Sequence, residues 1–162
     1  MRLSANTVAK WVLEHGHEKI FMNAKTFLDS NVLIYAYDNS DKLKQDQAQK
    51  ILNQGLTDNN IVLSVQVLSE FYTTVTKRYE EPLSTDQARD VINLVDILQI
   101  VQIDVPLVKR AIETHKRYQI NYWDGLIIAA AEQGRCGTIL SEDLNAGQLY
   151  HDIRVDNPFS NL

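Results

Sequence analysis

The order of apolar segments along this sequence predicts an α/β protein whose central parallel sheet is covered by helices on both faces. Short apolar runs rich in strand-forming residues alternate with longer segments whose apolar residues recur at helical spacing. Such alternation is typical of parallel sheets, because a helix returns the chain before the next parallel strand begins. One helical segment, 126–131, is apolar on every side, which indicates a buried helix.

Composition narrows the class of protein. The chain has 162 residues, of which 44% are hydrophobic and 23% charged, as expected for one folded domain. Its single Cys136 excludes an internal disulfide, and no apolar run approaches the roughly 18 residues of a membrane-spanning helix. Lys10, Glu14 and Glu18 interrupt the N-terminus, which therefore does not resemble a secretory signal. We expect a cytoplasmic protein with no membrane partner.

Residues that favour helix starts divide the chain into elements. Ser84 and Gln87 have capping-box spacing, and Pro106 suits the first turn of a helix. The expected helices run from Ser30, from Asp41 to about Leu56, from Ser64 to about Tyr79, from Ser84 to Leu98, from Pro106 to about Tyr118, and over 126–131. The expected strands are 26–28, 61–63, 100–103, 138–140 and, at an edge of the sheet, 153–155.

The N-terminal residues 1–24 are expected to form a helical extension, and residues 25–162 the folded domain. Trp11 and Val12 belong to the one short amphipathic helix that the apolar spacing indicates there. Met22 stands just before the first strand and is an alternative start for the chain. Because the first strand needs nothing before Met22, we expect the extension to be dispensable for folding.

Four carboxylates occupy positions where chemistry is expected. Asp29 follows the first strand and Asp143 the fourth, at the carboxyl edge where parallel sheets bind ligands. Asp124 begins the buried helix, and Glu70 lies within the helix after the second strand. Clustered carboxylates repel one another unless a cation neutralises them, and oxygen ligands favour Mg²⁺ or Mn²⁺. Such an ion activates water and offsets phosphoryl charge, which suits phosphodiester hydrolysis.

Each of these acids also has a structural explanation. Asp29 could cap the following helix, and Asp143 could hold a turn. Asp124 falls three residues after Asn121 and could be its acidic partner in a helix cap. Taken singly, structural roles are the more common for such residues. The position of Glu70 stays open. It lies opposite the apolar stripe of its helix, which predicts that it faces water, yet its uncharged helical neighbours also suit the wall of a polar cleft.

Four blocks of sequence resemble those of PIN-domain proteins, in the same order and spacing over 25–157. The blocks are Phe27–Ala36, Glu70 within 64–77, Tyr122–Ala131 and Leu140–Leu144. In size and in these blocks the chain is similar to the VapC-type toxins of bacterial toxin–antitoxin pairs. The extension before Met22 departs from the usual pattern of that family.

The resemblance implies a three-layer α/β/α sandwich (PIN-like) and a metal-dependent endoribonuclease that uses Mg²⁺ or Mn²⁺. By position, the implied catalytic residues are Asp29, Glu70, Asp124 and Asp143, with Asp29, Asp124 and Asp143 as metal ligands and Ser141 as a supporting polar residue. Glu142 beside Asp143 leaves two candidates for the fourth acid. The implied partners are an RNA substrate, a second copy in a homodimer and a cognate antitoxin.

Surplus apolar residues in the helices of 64–98 also favour a homodimer, because they exceed what one buried face needs. They include Phe71, Tyr72, Tyr79 and Val91. The net charge of −5 disfavours nucleic acid as a partner, although a bound cation would offset part of it.

Two other functions fit the same acids. A phosphatase or DNA nuclease would use an equivalent metal site, and a non-catalytic module would bind a basic partner in an acidic cleft. The basic pairs Lys77–Arg78, Lys109–Arg110 and Lys116–Arg117 are as consistent with solvated surface as with a binding surface. Incubation with RNA, DNA and a phosphate ester distinguishes these functions.

Overall fold

A computed structural model describes residues 24–77 and 81–162 of the chain. The expected N-terminal helical extension lies outside the described residues, apart from Ala24. The strands are β1 Lys25–Leu28, β2 Ile61–Ser64, β3 Gln99–Val101, β4 Cys136–Leu140, β5 Leu149–Tyr150 and β6 Ile153–Asp156. The helices are α1 Ser30–Tyr35, α2 Lys42–Asp58, α3 Val65–Val75, α4 Thr85–Val95, α5 Val105–Tyr118 and α6 Tyr122–Gln133.

The strands form one sheet in the order β3-β2-β1-β4-β6-β5. Neighbouring strands from β3 to β6 pair in parallel, and β5 pairs antiparallel to β6. The predicted parallel sheet is therefore confirmed for five strands. The strand expected at 153–155 lies one position inside the edge, because the short β5 pairs beyond it. β5 was not predicted, since two residues are too few to give an alternating pattern.

Two glycines show that helices cover opposite faces of this sheet. A Cβ at Gly55 of α2 would lie 1.8 Å from Ile61 Cδ1, and one at Gly134 after α6 would lie 2.7 Å from Val62 Cγ1. Ile61 and Val62 are consecutive in β2, so their side chains point to opposite faces. The helices therefore form the two outer layers of the predicted α/β/α sandwich.

The core consists of residues on both faces of the sheet and on the sides of the helices that cover them. Phe27, Leu28 and Val62 are fully buried in the central strands, and α6 is buried continuously over 125–131, as its uncharged sequence predicts. Phe71 and Val91 also belong to this core, so they are not the surplus surface residues that the sequence suggested. Among the described residues, no helix is both long and apolar enough to cross a membrane.

Three elements end earlier than predicted. α3 ends at Val75 and α4 at Val95, and β3 ends at Val101. Leu98 is buried in the turn that leads from α4 to β3, so its helical spacing had extended the predicted helix. Ile103 is 40% exposed beyond the end of β3. In both cases the apolar residue lies in a connecting segment, Leu98 buried and Ile103 exposed, and the sequence pattern cannot distinguish such a residue from the element itself.

Candidate active site

Asp29 is buried at the carboxyl end of β1, with 7% of its surface exposed. It is the N-cap of α1, and its Oδ1 accepts a hydrogen bond of 2.7 Å from the backbone N–H of Ser30. Its Oδ2 accepts hydrogen bonds from Ser141 Oγ at 2.7 Å and from Asn31 Nδ2 at 3.1 Å. The structural role as a cap is therefore real, and it leaves the carboxylate held rigidly at the sheet edge.

Asn31 joins two of the four acids. Its Nδ2 donates to Asp143 Oδ2 at 3.1 Å as well as to Asp29, and its Oδ1 accepts from the backbone N–H of Glu142 at 3.3 Å. The side chain is buried in a helix whose neighbouring positions are apolar. Sequence reasoning missed the bridging role of Asn31, because its partners Glu142 and Asp143 lie 111 and 112 residues away along the chain.

The turn after β4 is organised by Ser141. Its fully buried hydroxyl donates to Asp29 and accepts from the backbone N–H groups of Asp143 and Leu144, both at 3.1 Å. Its own N–H donates to the carbonyl of Asp156 in β6 at 3.1 Å. The turn-holding role that the sequence suggested for Asp143 is thus performed by Ser141, and the exposed Asp143 carboxylate faces the cleft between α1 and α3.

Glu142 points away from the other acids. Its Oε1 lies 2.6 Å from Lys44 Nζ, and its Oε2 accepts a 2.5 Å hydrogen bond from Tyr35 OH. Burial by itself raises the pKa of Glu142, but the hydrogen bonds from Lys44 and Tyr35 outweigh that effect and leave the pKa below its ordinary value. Of the two neighbouring acids, Asp143 shares a partner with Asp29, whereas Glu142 ties this turn to α1 and α2.

Asp124 lies in the first turn of α6, whose N-cap is Asn121. Its N–H donates to Asn121 Oδ1 at 2.9 Å, and Asn121 Nδ2 donates to Asp124 Oδ2 at 2.5 Å. The next residue, Gly125, packs against α5 so closely that a Cβ there would lie 2.8 Å from the carbonyl oxygen of Ala111. The cap and this close packing fix the backbone that carries Asp124.

Glu70 is half-buried and forms part of a cleft wall, which answers the question that periodicity left open. Gln66, one turn earlier in α3, donates from Nε2 to Glu70 Oε1 at 2.9 Å and to the carbonyl of Trp123 at 3.3 Å. Glu70 lines the cleft that contains Asn31 and Asp143 as well as the groove beside Asp124. It therefore lies between the two halves of the candidate site.

The pKa values of Asp29 and Asp124 are both raised. Burial raises the pKa of Asp29 to about 6, against the hydrogen bonds of Ser141 and Ser30, and the charges of Glu70 and Asp143 add to the rise. The pKa of Asp124 is raised by burial first, then by Asp143 and Glu70. Carboxylates that perturb one another at a cleft are typical of a functional site.

Within the part of the chain that the structure describes, no three acidic, histidine or cysteine side chains are already close enough to enclose a metal ion. The shared amide of Asn31 brings Asp29 and Asp143 together, with Glu70 and Asp124 across the cleft. Mg²⁺ retains several waters and commonly contacts one or two carboxylates directly. This open arrangement of oxygen donors is therefore chemically suited to a hydrated divalent cation.

A mostly parallel sheet, with carboxylates from the end of β1, α3, α6 and the turn after β4 at one edge, defines an α/β domain with an acidic cleft. Residues 26–151, more than three quarters of the chain, match the family model described as PIN domain. The chain therefore belongs to the PIN domain family, whose VapC-type members are nucleases. A search of curated proteins gave no match.

Solved structures of similar fold include several toxins. The Mycobacterium tuberculosis VapC20 toxin, described as cleaving the sarcin–ricin loop, is 15% identical with a TM-score of 0.59, covering 74% of this chain and 90% of its own. A Klebsiella pneumoniae toxin–antitoxin complex is 17% identical with a TM-score of 0.61, covering 83% and 98%. VapBC2 from Rickettsia felis, bound to a promoter DNA fragment, is 17% identical with a TM-score of 0.58, covering 82% and 97%.

Proposed function

We propose that this PIN-domain protein is a metal-dependent endoribonuclease and the toxin of a toxin–antitoxin pair. The observation that carries the proposal is the convergence of four carboxylates at one cleft. Asn31 joins Asp29 to Asp143 through hydrogen bonds of 3.1 Å. Glu70 lines this cleft and also the groove that contains Asp124. A divalent cation relieves the repulsion among these carboxylates by balancing their charges. The family match supports nuclease chemistry for that site.

In the proposed site, Asp29, Asp124 and Asp143 hold Mg²⁺ or Mn²⁺, directly or through its waters. Asn31 and Ser141 orient Asp29, and Asn31 also orients Asp143. Residues that hydrogen-bond to a metal ligand in this way hold the ligand in place, and they commonly contribute about 10–100-fold in metal affinity or activity. When bound, the cation supplies a water of lowered pKa and neutralises charge that develops on the phosphoryl group.

Glu70 is the proposed catalytic partner of these ligands. It lines the cleft from α3. Its Oε1 accepts a hydrogen bond from Gln66 Nε2, and its other carboxylate oxygen does not take part in that contact. A carboxylate in this position orients the attacking water and accepts its proton. Gln66 fixes the rotamer of Glu70 relative to α6 through its second hydrogen bond, to the Trp123 carbonyl.

RNA is the proposed substrate, and a cognate antitoxin and a second copy are the proposed partners. The support is that a neighbour of similar fold is described as a toxin that cleaves the sarcin–ricin loop, and another is a toxin–antitoxin complex. For a homodimer, Tyr72, Leu94 and Ile97 remain exposed around α3 and α4 at 36%, 49% and 71%. They are the surface on which we place the dimer contact.

The test is cleavage of RNA, single-stranded DNA and a generic phosphate ester by the purified chain in Mg²⁺, Mn²⁺ and EDTA. We expect cleavage of RNA only, dependent on the metal, and a loss of at least about 10–100-fold in Asp124→Asn. Asparagine retains the shape and the cap, so thermal unfolding in EDTA should change little. Asp86→Asn, an exposed aspartate of α4, is the matched control.

Other outcomes would support the alternatives. Cleavage of DNA or of the phosphate ester would indicate a DNA nuclease or phosphatase with the same acids. Absence of cleavage in every divalent metal, with binding of a basic partner, would indicate a non-catalytic module. Normal RNA cleavage by a well-folded Asp124→Asn chain would exclude the site as proposed.

A further inference from the structure

A groove beside the four acids contains an exposed aromatic side chain. The groove encloses about 630 Å³ between α3 and the start of α6. Its walls are Gln66, Ser69, Thr73, Ile103, Asn121 and Trp123. Glu70 and Asp124 also line it, so the groove opens directly onto the proposed catalytic site.

Trp123 is exposed over 62% of its surface, although tryptophan is a residue that proteins usually bury. Its backbone is held in place, because its carbonyl accepts a hydrogen bond from Gln66 and Asn121 caps its helix. Its ring packs edge-on against Tyr122, with 5.3 Å between ring centroids, and leaves a face available. A large aromatic side chain that is fixed and exposed beside an active site is typical of a surface that stacks a planar ligand.

The chemistry of the groove suits an uncharged planar group. Apart from the two acids at its margin, the six wall residues carry no charge, so the groove offers nothing to neutralise a phosphate. The exposed hydroxyls of Ser69 and Thr73 donate to backbone carbonyls of their own helix, so their oxygen lone pairs remain able to accept a hydrogen bond from a ligand. Nucleobases combine a planar face with N–H donors at their edges.

We propose that Trp123 stacks on a base of the RNA strand next to the scissile phosphate, and that this groove is the binding site for that base. The inference rests on the proposed function, since it places the substrate of the same site. The phosphate lies over the acids and their cation, and the neighbouring base enters the neutral groove across Glu70. The groove volume falls within the usual 300–1,000 Å³ of small-ligand sites.

The test measures RNA binding without catalysis. Trp11 and Trp123 are the two tryptophans of the sequence, so Trp11→Phe leaves Trp123 as the tryptophan fluorophore. In low salt with Ca²⁺, a hard cation that binds oxygen ligands and balances the acids, a short single-stranded RNA should quench this fluorescence, and the same strand with one abasic position should quench it less. Stacking on one aromatic side chain is lost in Trp123→Ala, which should bind the RNA about 5- to 100-fold more weakly.

Matched variants separate stacking from other losses. Trp123→Phe retains an aromatic face and should restore most of the affinity, and Ile112→Ala, an exposed apolar residue of α5, should bind as the unmodified chain does. With Mg²⁺ present, Trp123→Ala should raise KM far more than it lowers kcat. The abasic strand should bind the unmodified chain and Trp123→Ala with similar affinity.

Three results would overturn the proposal. Trp123→Ala could bind RNA within twofold of the unmodified chain, the fluorescence could stay unchanged at saturating RNA, or light scattering could show that Trp123→Ala converts a dimer to a monomer. The last result would assign the groove to a second copy. Failure of the proposed function looks different, because RNA would then bind and quench Trp123 but would not be cleaved in any divalent metal.

Discussion

The hydroxyl of Ser141 lies 2.7 Å from a carboxylate oxygen of Asp29, although 112 residues separate the two along the chain. The contact exists because β1 and β4 are paired in parallel, with Leu28 opposite Leu140, so both strands end at the same edge. It connects the end of one strand to the turn that follows the other. Both acids that depend on this edge, Asp29 and Asp143, are therefore positioned by the same hydroxyl.

Replacing Ser141 with alanine should destabilise the chain by about 1.5–3 kcal/mol, the usual value of a hydrogen bond to a charged group. The change removes the donor to Asp29 and the acceptor for two backbone N–H groups. Urea unfolding at pH 8 measures the loss. Ser160→Ala, at an exposed position, is the control, and an equal effect in both variants would contradict this account.

Replacing each of the adjacent acids Asp143 and Glu142 with its amide should show which of them serves cleavage and which serves stability. Asp143→Asn should lose at least about tenfold of the metal-dependent cleavage with little change in unfolding, because the side chain is an exposed proposed ligand. Glu142→Gln should lose about 1 kcal/mol of stability, from its ion pair with Lys44, while cleavage stays within a few-fold. The opposite pattern would identify Glu142 as the fourth acid.

The stability of the metal-free chain should fall as the pH rises from 4 to 7. Asp29 has a folded-state pKa of about 6, above its ordinary value near 3.8, so the folded state binds the proton more tightly than the unfolded state. Its contribution is fully present below about pH 4 and is lost as the pH rises through 6, a change of about 3 kcal/mol. Thermal unfolding in EDTA measures it, and Asp29→Asn should remove this part of the pH dependence. Added Mg²⁺ should raise the Tm at pH 7.5 and have little effect at pH 5, because the ion binds the ionised carboxylate.

The hairpin between β5 and β6 should become more stable with glycine at its turn. His151 and Asp152 have φ angles of 48° and 67°, a conformation that non-glycine residues adopt at a cost. Asp152→Gly should therefore stabilise the chain by about 0.5–1 kcal/mol, as measured by urea unfolding. Asp152→Ala removes the same side chain without relieving the backbone and should be less stable than Asp152→Gly. Equal stability of the two would show that the turn is not strained.

Sequence patterns predicted most of the strands and helices that carry the site. They did not predict the side-chain contacts that these elements make with one another. Asp29 and Asp143 were placed at strand ends because apolar runs stop there, and the parallel sheet brings those ends together. Glu70 could not be placed, since its contact with Gln66 depends on how α3 packs against α6. Asn31 was missed because its role is a bridge between residues distant in sequence, and no local pattern indicates such a bridge.

The strands at the two edges of the sheet limit how the chain can associate. β3 has three residues, and β5 has two residues and runs antiparallel to its neighbour. Edges this short offer few unpaired backbone groups, and so they discourage another chain from extending the sheet. A homodimer or an antitoxin complex should therefore form through helical and loop surfaces, where side chains and not backbone groups decide which partner is accepted. Specificity for one partner among related pairs could then change by surface substitutions alone, without any change in the sheet that holds the proposed catalytic acids.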